Sequence, residues 1–260
     1  MEKKDVLFLC QFFYPEYNSS ATLPWDTARY LASRGWKVEA LCGYPREYYK
    51  CGNTPDNEVK ENVEIKRLHY LQLKRGKKLG RLINYFSFTI AVFLHIGYLK
   101  KFKIVIVYSN PPVLPFAALA ANKLFGIKII FVSYDVYPEV AYASGSLQPD
   151  GVIAKGMRFM NRRFFSRVSC VVALTKEMEN FLLENRQSLS KAHVKVIPNW
   201  AHEGRVSVSN EILQKFGYVK EDFVVSYFGN MGICQDVETL LSAMELLKHK
   251  EHIRFLIVGH

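Results

Sequence analysis

The sequence predicts an α/β protein with one complete doubly wound domain and the first βαβ unit of a second. Short apolar or β-branched runs recur at 5–11 (DVLFLCQ), 37–42 (KVEALC), 63–68 (VEIKRL), 103–109 (KIVIVYS), 127–133 (IKIIFVS), 168–173 (VSCVVA) and 194–197 (VKVI). Helical patterns at 21–34, 83–101, 113–125, 151–166 and 174–185 fall between them. Near-continuous apolar strands that alternate with helices build a parallel sheet covered on both faces. The alternation pauses near Pro198. It restarts after a polar stretch, with a strand at 223–228 (FVVSYF), a helix at 236–248 and a strand at 254–258 (RFLIV). The expected organisation is a first domain over 1–200, a linker region over 201–222, and an incomplete second domain over 223–260.

Each element has a local reason. The chain opens MEKKDVLFLCQFFYP, a basic start before an apolar run. Asp5 and Gln11 interrupt that run and no small-residue cleavage site follows, so it reads as a first buried strand. YPEYNSSATLPW then leads into helix 21–34. A Ser-rich helix entry offers free backbone N–H groups and the positive end of the helix dipole, which suits a phosphate. Asn18, Ser19 and Ser20 are the candidates, and ordinary N-capping explains the same residues. Residues 82–99 (LINYFSFTIAVFLHIGYL) are uncharged and reach the length of a membrane span. Asn84, Ser87, Thr89, His95 and Gly97 argue instead for a helix partly buried in the domain that touches a membrane edge.

Strand 127–133 leads into SYDVYPEVAYASG. Ligands of open α/β sheets sit outside the carboxyl ends of the strands. Asp135 and Glu139 are therefore candidate catalytic carboxylates, with Tyr134 and Tyr137 as candidate stacking platforms for a ligand. A carboxylate can take or orient a hydroxyl proton; an Asp that caps the turn before Pro138 fits equally. On helix 151–166, Ile153, Met157, Met160 and Phe164 form an apolar stripe, with Lys155, Arg158 and Arg162 opposite. After strand 223–228, FGNMGICQD has Gly229 and Gly232 to permit a tight turn into a helix N-terminus near Asp236. A plain βα turn needs no more than that.

The charge balance is 35 Lys+Arg against 24 Asp+Glu, a formal net charge of +11. That excess points to a polyanionic partner: an anionic membrane, a phosphorylated substrate or nucleic acid. Two stretches concentrate it without an acid, KRGKKLGR (74–81) and KGMRFMNRRFFSR (155–167). Lys74, Arg75, Lys77, Lys78, Arg81, Lys155, Arg158, Arg162 and Arg163 are the candidate membrane-facing cations. For the second stretch, a solvated face behind a core stripe is the alternative. The aromatic-basic strand signatures of common RNA modules are missing, so no nucleic acid is expected. The five cysteines are scattered without a pairing framework, which fits a reducing compartment. The histidines have no ligand spacing, so no metal is expected.

The segments QFFYPEYNSSA, SNPPVLPFAA, YDVYPEVAYASG, VIPNW and FGNMGICQDVETLLSAMELL with RFLIVG, in this order, resemble the GT-B glycosyltransferases of family 4. The closest likeness is to the branch that builds bacterial O-antigen and capsule repeat units, and it covers essentially the whole chain. The resemblance implies two Rossmann-like domains facing across a cleft, the acceptor side in the first and most of the nucleotide-sugar site in the second. It implies retaining transfer of a hexosyl or N-acetylhexosaminyl group from a nucleotide-diphosphate sugar, with no cofactor and no metal. The acceptor would be a polyprenyl-diphosphate-linked glycan, and the enzyme would sit in the cytoplasm, peripheral on the inner face of the cytoplasmic membrane. Asp135 would serve as acceptor-side base or orienting group. Asn18, Ser19 and Ser20 stand where relatives usually have glycines near the donor diphosphate. Gly229, Asn230, Gly232 and Gln235 stand in the second diphosphate-binding turn, where relatives often place Arg and Lys. The family's Glu-x7-Glu motif would follow strand 254–258, so the chain is expected to be a truncation, inactive alone. Two further readings stay open: a non-catalytic membrane-binding acceptor subunit that needs a donor-domain partner, and a basic nucleic-acid-binding α/β protein.

Overall fold

A computed structural model describes residues 3–45, 54–73, 78–201, 215–219, 221–229, 231 and 235–259, with only the backbone of Lys78. The chain forms two compact units, one of Met1–Val140 and Leu147–Trp200, the other of Ala141–Ser146 and Ala201–His260.

The first unit is built on strands β1 (Lys4–Cys10), β2 (Val38–Gly43), β3 (Asn57–Lys60), β4 (Val63–Leu68), β5 (Phe102–Tyr108), β6 (Lys128–Ser133), β7 (Cys170–Ala173) and β8 (Val194–Val196). They form one eight-stranded sheet in the order β3-β4-β2-β1-β5-β6-β7-β8. Every pairing is parallel except β3 with β4. Val6 of β1 lies opposite both Val38 of β2 and Ile104 of β5. Because strand side chains alternate, β1 feeds two cores. Val6, Phe8 and Cys10 join one, and Leu7 and Leu9 join the other.

Helix α1 (Ser19–Ser33) covers the first core with Ala28 and Ala32. Helices α2 (Lys78–Leu94), α3 (Pro115–Phe125), α5 (Val152–Phe165) and α6 (Lys176–Asn185) cover the other, and the short α4 (Glu139–Ala143) follows β6. Helix α3 starts with Pro115 and ends on Gly126 at φ 70°, where a side chain would be strained. Thr175 caps α6 by accepting the Met178 amide. Cys10 and Cys42 are buried free thiols. Burial raises both pKa values, Cys42 to about 12, so they act as small apolar residues.

The second unit pairs β9 (Phe223–Phe228) with β10 (Ile253–Val258) in parallel, joined through helix α7 (Val237–Leu247). Among its described residues none is fully buried.

Three features depart from the sequence expectation. Strand β3 was not expected: its NEVK sequence is polar, and Glu61 and Asn62, both at positive φ, turn it back against β4. Such a hairpin usually announces itself with glycine, which is absent here. The helix expected over 83–101 starts earlier, at Lys78, and gives way after Leu94 to a 3-10 turn over Ile96–Lys101. Helix α4 is only five residues long and has no apolar period to reveal it.

Helix α2 supplies a direct test of this packing. Phe88 is 0% exposed and Phe86, one half-turn away, is 47% exposed. Phe88→Ala should cost ~3–5 kcal/mol in urea unfolding. Phe86→Ser should stay within about 0.5 kcal/mol of the parent.

Candidate active site

From β1 the sheet is wound one way through β2 to β4, and from β5 the other way through β6 and β7 to β8. The winding reverses between β1 and β5. Open α/β sheets bind ligands in the crevice outside the carboxyl ends of the strands at such a reversal. Gln11 follows β1 there, and Ser109 and Asn110 follow β5.

These edge residues carry unused hydrogen-bonding capacity. Gln11 is 1% exposed, yet neither its Oε1 nor its Nε2 has a partner among the described residues. The same holds for Oδ1 and Nδ2 of Asn18 and for Oδ1 of Asn110. Buried polar side chains are nearly always hydrogen-bonded, so these amides mark a place that a polar ligand would complete. Asn18 begins α1 with its carbonyl, which accepts the amides of Ala21 and Thr22, each at 2.9 Å. Its side chain does not cap the helix. The amides of Ser19 and Ser20 have no acceptor among the described residues.

The loop after β6 holds the candidate carboxylates. Ser109 Oγ accepts the amides of Tyr134 at 3.0 Å and Asp135 at 2.9 Å, which fixes the turn. Asp135 lines a pocket with Ser133, Tyr137, Asn161, Phe164 and Arg186. No hydrogen bond or ion pair reaches its carboxylate among the described residues, and burial lifts its pKa above the ordinary value. A half-buried carboxylate held without a partner is a stronger base than one in water.

Glu139 is placed differently. Arg186 Nη1 and Nη2 donate to its two oxygens at 2.9 and 2.7 Å, and Nη2 also reaches the Tyr137 carbonyl at 3.1 Å. Asn161 Nδ2 donates to that same carbonyl at 2.8 Å. Glu139 is thus an anchor of the loop, with both oxygens engaged. Tyr137 lines the Asp135 pocket, but Tyr134 turns to the α1 side. Its ring packs on Tyr108 with centroids 5.4 Å apart, and burial raises its hydroxyl pKa.

In the second unit, the Gly229 amide donates to the Val258 carbonyl at 3.0 Å, and Gln235 is exposed. Asn230 and Gly232 lie outside the described residues, as do Lys74, Arg75, Lys77 and the Lys78 side chain. Arg81, Lys155, Arg158, Arg162 and Arg163 are all exposed. Arg158 donates to the Pro149 carbonyl at 2.7 Å, and the Arg163 guanidinium sits 4.1 Å from the Phe159 ring centroid. Sequence reasoning passed over Gln11, Ser109, Asn110, Asn161 and Arg186. The first three stand inside or beside motifs already singled out. Arg186 gives no local signal, since its partner Glu139 is 47 positions away.

Solved structures share this architecture across nearly the whole chain. Alr3699/HepE from Anabaena, in complex with UDP and glucose, is 14% identical with a TM-score of 0.54, covering 99% of this chain and 70% of that one. The catalytic domain of starch synthase IV from Arabidopsis thaliana, bound to ADP and acarbose, is 11% identical with a TM-score of 0.64, covering 99% and 69%. The fold is of the GT-B glycosyltransferase type. The glycosyl transferase 4-like domain matches residues 21–200, and the chain belongs to that family. A protein described as probable glycosyltransferase WbjE, from Pseudomonas aeruginosa, is 25% identical over 190 residues, 72% of this chain and 46% of its own length. The chain thus spans about half the length of the curated relative it matches.

The raised pKa of Asp135 has a signed consequence. Between the unfolded carboxylate value of ~3.9 and the higher folded value, the native state holds more protons. Stability is therefore fully present below the unfolded value and declines as pH rises through the folded one. Asp135→Asn removes that loss. The variant should melt above the parent at pH 7 and level with it near pH 3, as followed by circular dichroism.

Proposed function

We propose that this family member transfers a sugar, with retention, from a nucleotide-diphosphate sugar to a lipid-linked acceptor in cell-surface polysaccharide synthesis. The observation that carries the reading is Asp135, an unpartnered half-buried carboxylate beside the winding reversal, in the unit the family assigns to the acceptor. The UDP and ADP of the two solved relatives support a nucleotide-sugar donor.

Each site residue has a role in this scheme. Asp135 takes or orients the proton of the acceptor hydroxyl. Glu139, tied to Arg186, keeps that loop in place, and Tyr137 offers a face to the acceptor. The open amides of Ser19 and Ser20, with the side chains of Gln11 and Asn18, suit a phosphate at the N-terminus of α1. By the resemblance, Gly229, Asn230, Gly232 and Gln235 belong to the turn assigned to the donor diphosphate; the Gly229 amide is itself held by the Val258 carbonyl, so its part is to shape that turn. Stabilising charge on that leaving group is the main electrostatic task of the transfer. After Phe223 the sequence has no two glutamates eight positions apart. The 260 residues alone are therefore expected to be inactive, and a chain extended by a relative's second domain active. The exposed cations on α2 and α5 support a peripheral place on the inner face of the cytoplasmic membrane.

The test uses the extended chain, a labelled nucleotide-sugar and membranes bearing lipid-linked glycan. Asp135→Asn should lower kcat by ~10²-fold or more and leave the donor KM within about twofold, the signature of a group that acts in the transition state. An unchanged kcat would reduce Asp135 to a turn residue.

A further inference from the structure

Helices α2, α3 and α5 lie side by side on one side of the sheet. Phe88, Leu119 and Phe164 point from them into one core, and α3 touches both neighbours. The outer side of this layer is unusual for a protein surface. On α2, Leu79, Leu82, Phe86, Ile90 and Phe93 are each 40 to 66% exposed. Their spacing of three and four places them on one stripe, about 21 Å long at 1.5 Å per residue. The opposite side of the same helix, with Asn84, Phe88, Ala91 and Val92, is buried. Leu124 on α3, and Val152, Ile153 and Phe159 on α5, add further exposed apolar groups. Contiguous apolar surface of this kind marks an interaction site.

The segments that carry the stripe have charge of one sign in their sequence. The sequence contains no Asp or Glu from Ile65 to Tyr134, nor from Gly151 to Lys176. Exposed Arg81, Lys100, Lys101, Lys123, Lys155 and Arg162 therefore stand on these helices and the turn after α2 without an acidic neighbour in sequence. An apolar stripe whose own helices and following turn contribute cations matches a surface that is apolar below and anionic above.

We propose that the outer side of α2, flanked by α3 and α5, is a docking surface for an anionic lipid bilayer. The helix lies in the plane of the membrane interface, because its inner half belongs to the protein core and only the stripe is free to enter. Among the described residues no helix is long and apolar enough to cross a membrane. The inference deepens the proposed function by naming the surface that would bring the acceptor side to lipid. It needs no donor or acceptor to be tested, so the two can fail separately.

The experiment is flotation of the full chain with phosphatidylcholine vesicles, with and without phosphatidylglycerol. Binding is expected only with phosphatidylglycerol, weakened but not abolished by salt, since exposed charges are screened beyond ~8 Å at physiological ionic strength. Arg81→Gln, Lys100→Gln and Lys101→Gln together should reduce partitioning on the order of a hundredfold, at about 1 kcal/mol per cation. Leu82→Ser, Phe86→Ser and Ile90→Ser together should reduce it at least about tenfold and melt like the parent. If that triple variant melts low, Ile90→Asp alone should lose binding while staying folded. Equal binding to both vesicles, or none to either, overturns the proposal. So does a concentration-dependent dimer that the stripe variants abolish, which would assign the face to a second copy of the chain.

Discussion

Strand β1 is buried on both faces, and the rest of the first unit is arranged around that constraint. Leu7, Phe8 and Leu9 are wholly enclosed, in alternation toward α1 and toward the layer of α2 and α3. A strand packed in this way has no side chain available for chemistry along its length. Polar function is pushed to the first residues past its carboxyl end, where the enclosing helices stop. Gln11 stands there after β1, Ser109 and Asn110 after β5, and Asp135 after β6. The site is confined to one edge of the sheet by packing before any ligand is considered.

Loops at that edge must be held without strand pairing, and two buried guanidinium groups do it. Arg67 donates to the carbonyls of Pro55 at 2.7 Å and Tyr14 at 3.0 Å and pairs with Glu58. It ties the loop after β1 to the edge strand. Arg186 does the equivalent for the loop after β6 through Tyr137 and Glu139. Buried ion pairs add little net stability, because desolvation offsets the attraction, but removing one partner costs about 3–5 kcal/mol. Their value here is positional. With Glu139 committed to Arg186, Asp135 is left as the carboxylate without a partner in that loop.

The parallel strands were legible because a doubly covered strand must be a short continuous apolar run, and β1, β2, β5 and β6 are such runs. The hairpin at Glu61 and Asn62 was not, because Glu61 rarely takes a positive φ and no glycine follows Asn62 to mark the turn. Within the candidate site, the placement of Asp135 and Tyr137 beside one pocket was legible because they follow a strand end. The alternation of neighbours then separates Tyr134 from them: it falls on the other side of the sheet and packs on Tyr108. Gln11 could be located but not weighed, since its lack of a partner is a property of the packed interior. Arg186 was illegible because the contact that gives it meaning joins two helices distant in the chain.

The segment 82–99 shows what composition alone leaves open. Its uncharged run fits a membrane span, a core helix or an interfacial helix, and the period of 3.6 separates the side that enters the core from the side left exposed. The inner side of α2 enters the core with Asn84, which exchanges hydrogen bonds with the Leu73 amide and carbonyl. That contact fixes the rotation of the helix and turns Leu79, Phe86 and Ile90 outward. Each such side chain, 47 to 66% exposed, forgoes a share of the about 1.5–3 kcal/mol that full burial contributes. A monomeric soluble surface normally avoids aligning several of them. On the proposed docking, the cations nearby would divide the work with the stripe. Charge acts over a Debye length and selects an anionic surface before contact. Apolar insertion acts only at contact and would govern how long a docked protein stays. A helix of moderate length, half committed to the core, can in this way give reversible attachment without crossing the bilayer.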